Sequence, residues 1–279
     1  MNSVTDPDRA AVIVPMYKAE LTAAETASLR QLNGVLHAWP RIIAKPEGLD
    51  LTPLARACDM SQQSFPPDYF RSNLDYNRLM LSPEFYDRFA THEFLLIHQL
   101  DAWCFEDRLE YWCGQNFDLL GAPFTEAWMY APPLNAKRLR KTAKQTLARY
   151  LGARAPRGWR SLISANAVGN GGFSLRRVKT FSQVLQADRG ELDKFRHQPR
   201  IHGAEDLFWS LHARLNGLPL SRPDWRTALH FAIERAPLEA SRLLGGVPFG
   251  CHGWSWLWTE HEQRAVMGFS TQELTPTGE

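Results

Sequence analysis

Glu93-Phe-Leu-Leu-Ile-His-Gln-Leu-Asp-Ala-Trp103 is the stretch that decides the fold class. Phe94 to Ile97 is an unbroken apolar run of strand length, too short for a helix and apolar on both faces. That is how a strand buried inside a parallel sheet reads. Ala11-Val-Ile-Val14, stopped by Pro15, and Arg41-Ile-Ile-Ala44, ended by Lys45-Pro46, have the same character. Between those two runs Thr22-x-x-Glu25 forms a capping box, and Leu29, Leu32, Val35 and Leu36 recur at helical spacing. A loop rich in Pro and Asp follows the second run. A helical stretch then runs from about Asp75 to Ala90, divided where Ser82-Pro83 reads as an N-cap with proline at the first helical position. Further on, Phe117 to Ala122 and Gly172 to Leu175 read as strands, and helices are expected after Arg177 and around Glu205 to Leu215. Strands alternating with helices predict an α/β fold with a mostly parallel sheet flanked by helices.

Composition bounds the function. The chain has 279 residues, 44% of them hydrophobic and 22% charged, which is a globular composition. No linker or repeat divides it, and a single domain over 1–279 is expected. Thirty-two Lys and Arg against 30 Asp and Glu leave a net charge of +2, so the chain as a whole is no polycation built for nucleic acid. The first residues, Met1-Asn-Ser-Val-Thr-Asp, lack the basic start and apolar stretch of a signal peptide, and no apolar run is long enough to span a bilayer. Cys58, Cys104, Cys113 and Cys251 are scattered without a CxxC pair, which argues against a zinc ribbon or a disulfide framework. A cytoplasmic protein is expected. The segment from about 132 to 160 carries Lys137, Arg138, Arg140, Lys141, Lys144, Arg149, Arg154, Arg157 and Arg160 without one acid. It reads either as a solvated, poorly patterned insertion or as a basic surface facing an anionic ligand or the inner face of a membrane.

Several segments could carry chemistry. Asp101 follows the carboxyl end of the best strand, where open α/β sheets bind ligands; it is either a metal ligand or the cap of a turn. His252, in Phe249-Gly-Cys-His-Gly-Trp254, has glycines on either side that let the backbone turn closely. A carboxylate and an imidazole, completed by phosphate oxygens and water, suit Mn²⁺ or Mg²⁺ better than structural zinc. Val168-Gly-Asn-Gly-Gly-Phe-Ser-Leu-Arg176 has neither P-loop nor dinucleotide spacing, and reads as a tight turn able to approach a ligand. In His202-Gly-Ala-Glu-Asp-Leu-Phe-Trp-Ser210, Glu205 and Asp206 are either caps of a helix N-terminus or include a general base. Arg78, in Tyr76-Asn-Arg, could hold a phosphate or bond a neighbouring carboxylate. Trp103, Trp209, Trp254, Trp256 and Trp258 lie near these segments, and indole faces can stack on sugars.

Taken in order, these segments resemble the GT-A-fold glycosyltransferases. The likeness is greatest to a microbial family of glycosyltransferase-like domains of unassigned function, and it extends more distantly to the β-1,4-galactosyltransferases. The resemblance runs from Ala11 to Trp254 and implies a GT-A-like, Rossmann-like sheet with a basic insertion. It divides the chain into a nucleotide-binding half (about 11–122), the insertion (about 132–160), an acceptor and catalytic half (about 161–258) and a C-terminal tail (259–279). It implies that Pro15, Tyr17, Glu47, Asn77 and Arg78 contact the donor nucleotide, and that Asp101 and His252 hold Mn²⁺ or Mg²⁺ against its diphosphate. Gly171 and Gly172 would lie beside the transferred sugar, with Trp209 and Trp254 stacking on sugar or acceptor. Asp206, next to Glu205, would deprotonate the acceptor hydroxyl. The implied reaction is metal-dependent transfer of a sugar from a nucleotide-sugar donor, UDP-hexose by the resemblance, to a glycan or lipid-linked hydroxyl with inversion. One position departs from the pattern: Gln99 stands where the metal-binding Asp-x-Asp motif has its first acid, which removes a negative charge from the metal site. The alternatives are a metal-dependent hydrolase of nucleotide-linked or phosphorylated sugars and a non-catalytic sugar-binding module.

Overall fold

A computed structural model describes residues 9–131, 135–151, 156, 162, 164–187, 189–196, 204–213 and 217–274. The first eight residues, Arg154, Arg157, Arg160, His202 and the end of the tail (275–279) lie outside the described residues.

Strand β1 (Ala10–Pro15) is the axis of the sheet and is buried along its whole length. On one side it pairs in parallel with β2 (Arg41–Pro46), which in turn pairs in parallel with β3 (Ser61–Phe65). On its other side lies β4 (Phe94–His98), also parallel. The chain therefore moves outward through β2 and β3, then returns to the far side of β1, which opens a crevice at the carboxyl ends of β1 and β4. Beyond β4 come β7 (Phe173–Arg177), antiparallel, and β6 (Leu119–Gly121) at the edge, giving the order β3-β2-β1-β4-β7-β6. A second sheet sets β9 (Gly250–His252) between β5 (Ala102–Cys104), antiparallel to it, and the short β8 (Ala232–Ile233), parallel to it.

Both faces of the main sheet are apolar because alternate residues of β1 and β4 point to opposite sides. Val12, Val14 and Leu96 meet Leu29, Leu32 and Leu36 around helix α1 (Ala23–Val35) on one face. Ala11, Ile13, Leu95 and Ile97 meet Leu79, Met80, Phe85 and Phe181 on the other. Those come from α3 (Asn73–Met80), α4 (Pro83–Asp87) and a helix at Val178–Ala187. The capping box of Thr22 and Glu25 is formed, and Ser82 accepts from the Phe85 amide and starts α4 as expected. Apolar runs and caps thus gave the α/β sheet flanked by helices on both faces.

Elements with weak local signals are not legible in the sequence. Helix α2 (Thr52–Ala57) and β3 lie in the stretch read as a loop. β3 is Ser-Gln-Gln-Ser-Phe, an edge strand whose polar residues need no apolar partner. The second sheet was also missed, because its strands have only two or three residues each. The expected helix at Glu205–Leu215 is a single turn (Glu205–Leu207) continued by a π-helical turn (Phe208–His212). Helix α5 spans Leu109–Gly114, and the segment read as poorly patterned contains a 16-residue helix, α6 (Ala136–Leu151). Among the described residues no helix is long and apolar enough to cross a membrane.

Candidate active site

Three chain segments meet at the carboxyl edge of β4. The strand delivers Gln99 and Asp101 there directly. Because β7 runs antiparallel to β4, with Phe173 opposite His98, the glycine turn preceding β7 arrives at the same edge. The Gln99 amide donates to the Gly172 carbonyl (2.9 Å), and the Gly172 amide donates to Asn170 Oδ1 (3.0 Å). The third segment is β9, whose pairing of Ala102 with His252 sets the imidazole beside Asp101. The Gly253 amide, in a left-handed backbone, donates to the Asp101 carbonyl (2.9 Å).

His252 is the centre of the cluster. Its Nε2 lies 3.3 Å from Asp101 Oδ1 and 3.2 Å from Gln99 Oε1. Its Nδ1 lies 3.2 Å from Glu234 Oε1, and that oxygen also accepts from Asn170 Nδ2 (2.7 Å). Burial alone would push the imidazolium pKa down, but the hydrogen bonds and charges of Asp101 and Glu234 overcome it and raise it to about 10. Burial would likewise raise Asp101; the His252 bond and charge and the Trp256 indole N–H (2.7 Å to Oδ2) outweigh it, and the carboxyl sits below its ordinary value.

The two glycines of the turn are explained by their neighbours. A Cβ on Gly172 would stand 2.0 Å from His252 Nε2, and a Cβ on Gly171 would stand 2.0 Å from Glu205 Oε1. Only hydrogen fits at these positions.

Glu205 and Asp206 have different surroundings. Glu205 Oε1 accepts from the buried Arg176 guanidinium (2.8 Å), which also donates to the Tyr86 hydroxyl (3.0 Å) and the Ser174 hydroxyl (3.0 Å). Asp206 is partly exposed and accepts only from the Leu207 amide (2.7 Å) among the described residues. Burial, then the negative charges of Glu205 and Glu234, raise its pKa to about 7. That value divides the pair of acids: Glu205 is held in an ion pair with Arg176, and Asp206 titrates near neutral pH.

The remaining expected residues are distributed as follows. Pro15 ends β1 and Tyr17 just beyond it is exposed, as is Glu47 beyond β2, so all three stand at the carboxyl edge of the sheet. Asn77 and Arg78 are on α3, which lies against the Glu205–Leu207 turn. Arg78 is exposed and paired with the neighbouring carboxylate of Asp75 (3.1 Å). Trp209 and Trp254 are corrected. Trp209 is packed between Phe181 and Phe208, and Trp254 against Trp103 and Phe269; both are buried, so neither has a ring face open to a sugar. Among the described residues the open indole is Trp256, 64% exposed and anchored by its N–H to Asp101.

Glu234 escaped the sequence reading. It is an acid directly after the apolar run Phe231-Ala-Ile233, and only the pairing of Ile233 with Cys251 in β8 and β9 reveals that it faces His252.

Among the described residues no group of three or more His, Cys, Asp and Glu side chains is arranged to hold a metal ion. A cation at this edge would have Asp101 Oδ1 and His252 Nε2 as donors, 3.3 Å apart. Two donors at right angles on a cation with bonds of about 2.1 Å stand about 3 Å apart, so the spacing fits. Gln99 Oε1 adds a neutral oxygen, and the other positions fall to oxygens of a ligand. The cation competes with the proton on His252.

A family profile described as "Protein of unknown function (DUF5672)" matches residues 59–252, a span that contains Asp101 and ends on His252. Among curated proteins none matches. The fold is similar to that of the apo-form glycosyltransferase GlyE of Streptococcus pneumoniae TIGR4, at 12% identity and a TM-score of 0.48, over 89% of this chain and 55% of that one. It is also similar to core-mannan synthase A (CmsA/Ktr4) of Aspergillus fumigatus in its Mn/GDP form, at 12% identity and a TM-score of 0.44, over 79% of this chain and 72% of that one. This chain thus spans only about half the length of the GlyE chain.

Proposed function

The chain belongs to that family of proteins of unknown function, and we propose that it is a divalent-metal-dependent glycosyltransferase, moving a hexose from a nucleoside-diphosphate donor to a hydroxyl of a glycan or lipid-linked acceptor. The observation that carries this reading is the convergence of Gln99, Asp101 and His252 at the carboxyl edge of β4, with Asp206 held at a pKa of about 7 close enough to His252 to feel its charge.

Each residue has a part in this reading. Pro15, Tyr17, Glu47, Asn77 and Arg78 border the side of the crevice where the nucleotide lies. Asp101 and His252 would hold a Mn²⁺ or Mg²⁺ ion, which would supply Lewis-acid neutralisation of the diphosphate. Glu234 holds Nδ1 of His252, so that Nε2 is the nitrogen facing the crevice. Gly171 and Gly172 keep the floor thin enough for Glu205 and His252 to close on it. Trp256 offers an exposed ring for the apolar face of a sugar, in place of Trp209 and Trp254. Asp206 takes the acceptor proton as the hydroxyl attacks the anomeric carbon on the face opposite the leaving group, which inverts the configuration. Gln99 contributes no charge, so cation binding depends on the donor diphosphate arriving with it.

The test is release of nucleoside diphosphate from a panel of UDP- and GDP-hexoses, with and without Mn²⁺ and with glycan or lipid-linked acceptors. Release that needs both cation and acceptor supports the reading. Equal release of free sugar without acceptor makes the protein a hydrolase. No thermal shift with any donor, with or without Mn²⁺, refutes nucleotide-sugar binding. NMR of the product anomer showing retention removes Asp206 from its role.

A further inference from the structure

Asp101 divides its two carboxylate oxygens between different partners. Oδ1 faces His252 Nε2 at 3.3 Å, and Oδ2 accepts from the Trp256 indole N–H at 2.7 Å. The segment that supplies the indole is fastened to the site at several points. Gly253, in a left-handed backbone (φ 70°), donates its amide to the Asp101 carbonyl (2.9 Å). Its carbonyl accepts from the Leu257 amide (2.8 Å) and so starts the short helix Trp254–Leu257. In that helix Trp254 and Trp256 point about 200° apart, so the first is buried and the second faces outward. Two residues further on, the Trp258 indole donates to the Glu234 carbonyl (2.6 Å). The Trp256 ring is 64% exposed and gains little from burial, yet its one polar atom is committed to Asp101.

We propose, resting on the cation-dependent reading given above, that Trp256 is a positioning residue that sets which cation the site takes, favouring a small octahedral ion, Mn²⁺ or Mg²⁺, over Ca²⁺. Ca²⁺ takes about six to eight oxygens and accepts a carboxylate through one oxygen or both. Mg²⁺ demands a compact octahedron, an arrangement that Mn²⁺ shares. A chelating carboxylate turns both oxygens to the cation. With Oδ2 drawn to the indole, Asp101 has one oxygen to give, and it is the one beside the imidazole nitrogen. A compact octahedral ion can use that pair, whereas an ion that gains from chelation does not find it. Without the indole N–H the carboxylate can turn about its Cβ–Cγ bond and present both oxygens, while the Gly253 amide still holds the Asp101 backbone.

The experiment measures Mn²⁺ and Ca²⁺ binding to the full chain by calorimetry, with and without UDP, in the parent, Trp256→Phe and Trp256→Gln. Phenylalanine keeps a ring for a sugar and removes the donor; glutamine removes the ring and keeps an N–H donor of similar reach. The parent is expected to bind Mn²⁺ more tightly than Ca²⁺. Trp256→Phe is expected to weaken Mn²⁺ by about 10- to 100-fold, the usual cost of removing a group that orients a metal ligand, and to weaken Ca²⁺ less. The preference for Mn²⁺ should therefore fall by about tenfold or more in Trp256→Phe and persist in Trp256→Gln. The side chain is exposed, so both variants should melt like the parent. A partial loss of fold would weaken both cations by one factor and leave their ratio unchanged. A ratio unchanged in Trp256→Phe, or lowered equally in both variants, would overturn the proposal and leave the site a cation site. So would a parent that prefers Ca²⁺. A parent that binds neither cation, with or without UDP, would overturn the proposal together with the cation-dependent reading.

Discussion

Replacing Gly172 by alanine puts a methyl carbon 2.0 Å from His252 Nε2, 2.1 Å from Cδ2 and 2.7 Å from Cε1. Ordinary carbon contacts begin near 3.5 Å, so ring and backbone must separate by about 1.5 Å. Neither has room to give. The Gly172 amide is held by Asn170 and its carbonyl by the Gln99 amide, and the ring is held by Glu234 on one nitrogen and by Asp101 and Gln99 on the other. Moving the ring that far leaves buried charges without partners, a loss of about 3–5 kcal/mol. For a chain of this size that corresponds to a melting temperature lower by roughly 5–9 °C. The control is Gly34→Ala, in the last turn of α1, where an added Cβ meets nothing within 4 Å. There alanine is expected to stabilise by about 0.5–1 kcal/mol, through helix propensity alone. The assay is calorimetry of the two variants beside the parent, with Mn²⁺ affinity in the presence of a nucleoside diphosphate as a second readout. Both quantities should fall for Gly172→Ala and neither for Gly34→Ala. A Gly172→Ala protein that melts within a degree of the parent would refute the claim that His252 is fixed against the turn.

Three further outcomes follow from the same cluster. Because the folded pKa of His252 is raised to about 10 from an ordinary 6.5, its stabilisation is complete below pH 6.5 and is lost as pH rises to 10. Denaturation at pH 6 and pH 9.5 should show this fall in the parent, and Glu234→Gln should flatten it. Asp206→Asn should lower kcat by about 10²- to 10⁴-fold without lowering the melting temperature. In the parent, kcat/KM should rise with pH through about 7, as Asp206 loses its proton. Arg176→Met strands the Glu205 carboxylate against Gly171 and should cost about 3–5 kcal/mol, read by urea unfolding. Removing Glu205 as well, by Glu205→Leu in the same chain, should restore much of that loss. If the double variant is no better than the single one, the ion pair is not the source.

The sequence by itself determined the elements whose evidence is local. The apolar runs of β1, β2 and β4, the Thr22–Glu25 box, the Ser82 cap and the crowded glycines at 169–172 all announce themselves within a few residues. Burial on both faces and backbone freedom leave a local signature, and from these the parallel sheet and the sites at its carboxyl edge could be read. Tertiary structure alone decided the rest. β7 enters antiparallel, which brings the glycine turn to Gln99 instead of to the opposite edge. The three short strands of the second sheet carry too little pattern to be seen, yet their register brings His252 onto Gln99, 153 residues away, and aligns Glu234 behind it. The choice of Trp256 over Trp209 and Trp254 as the open ring was equally hidden. A residue's type reports whether it prefers to be buried. Which partner it meets depends on strand pairing between distant segments, and that is not written in any local window.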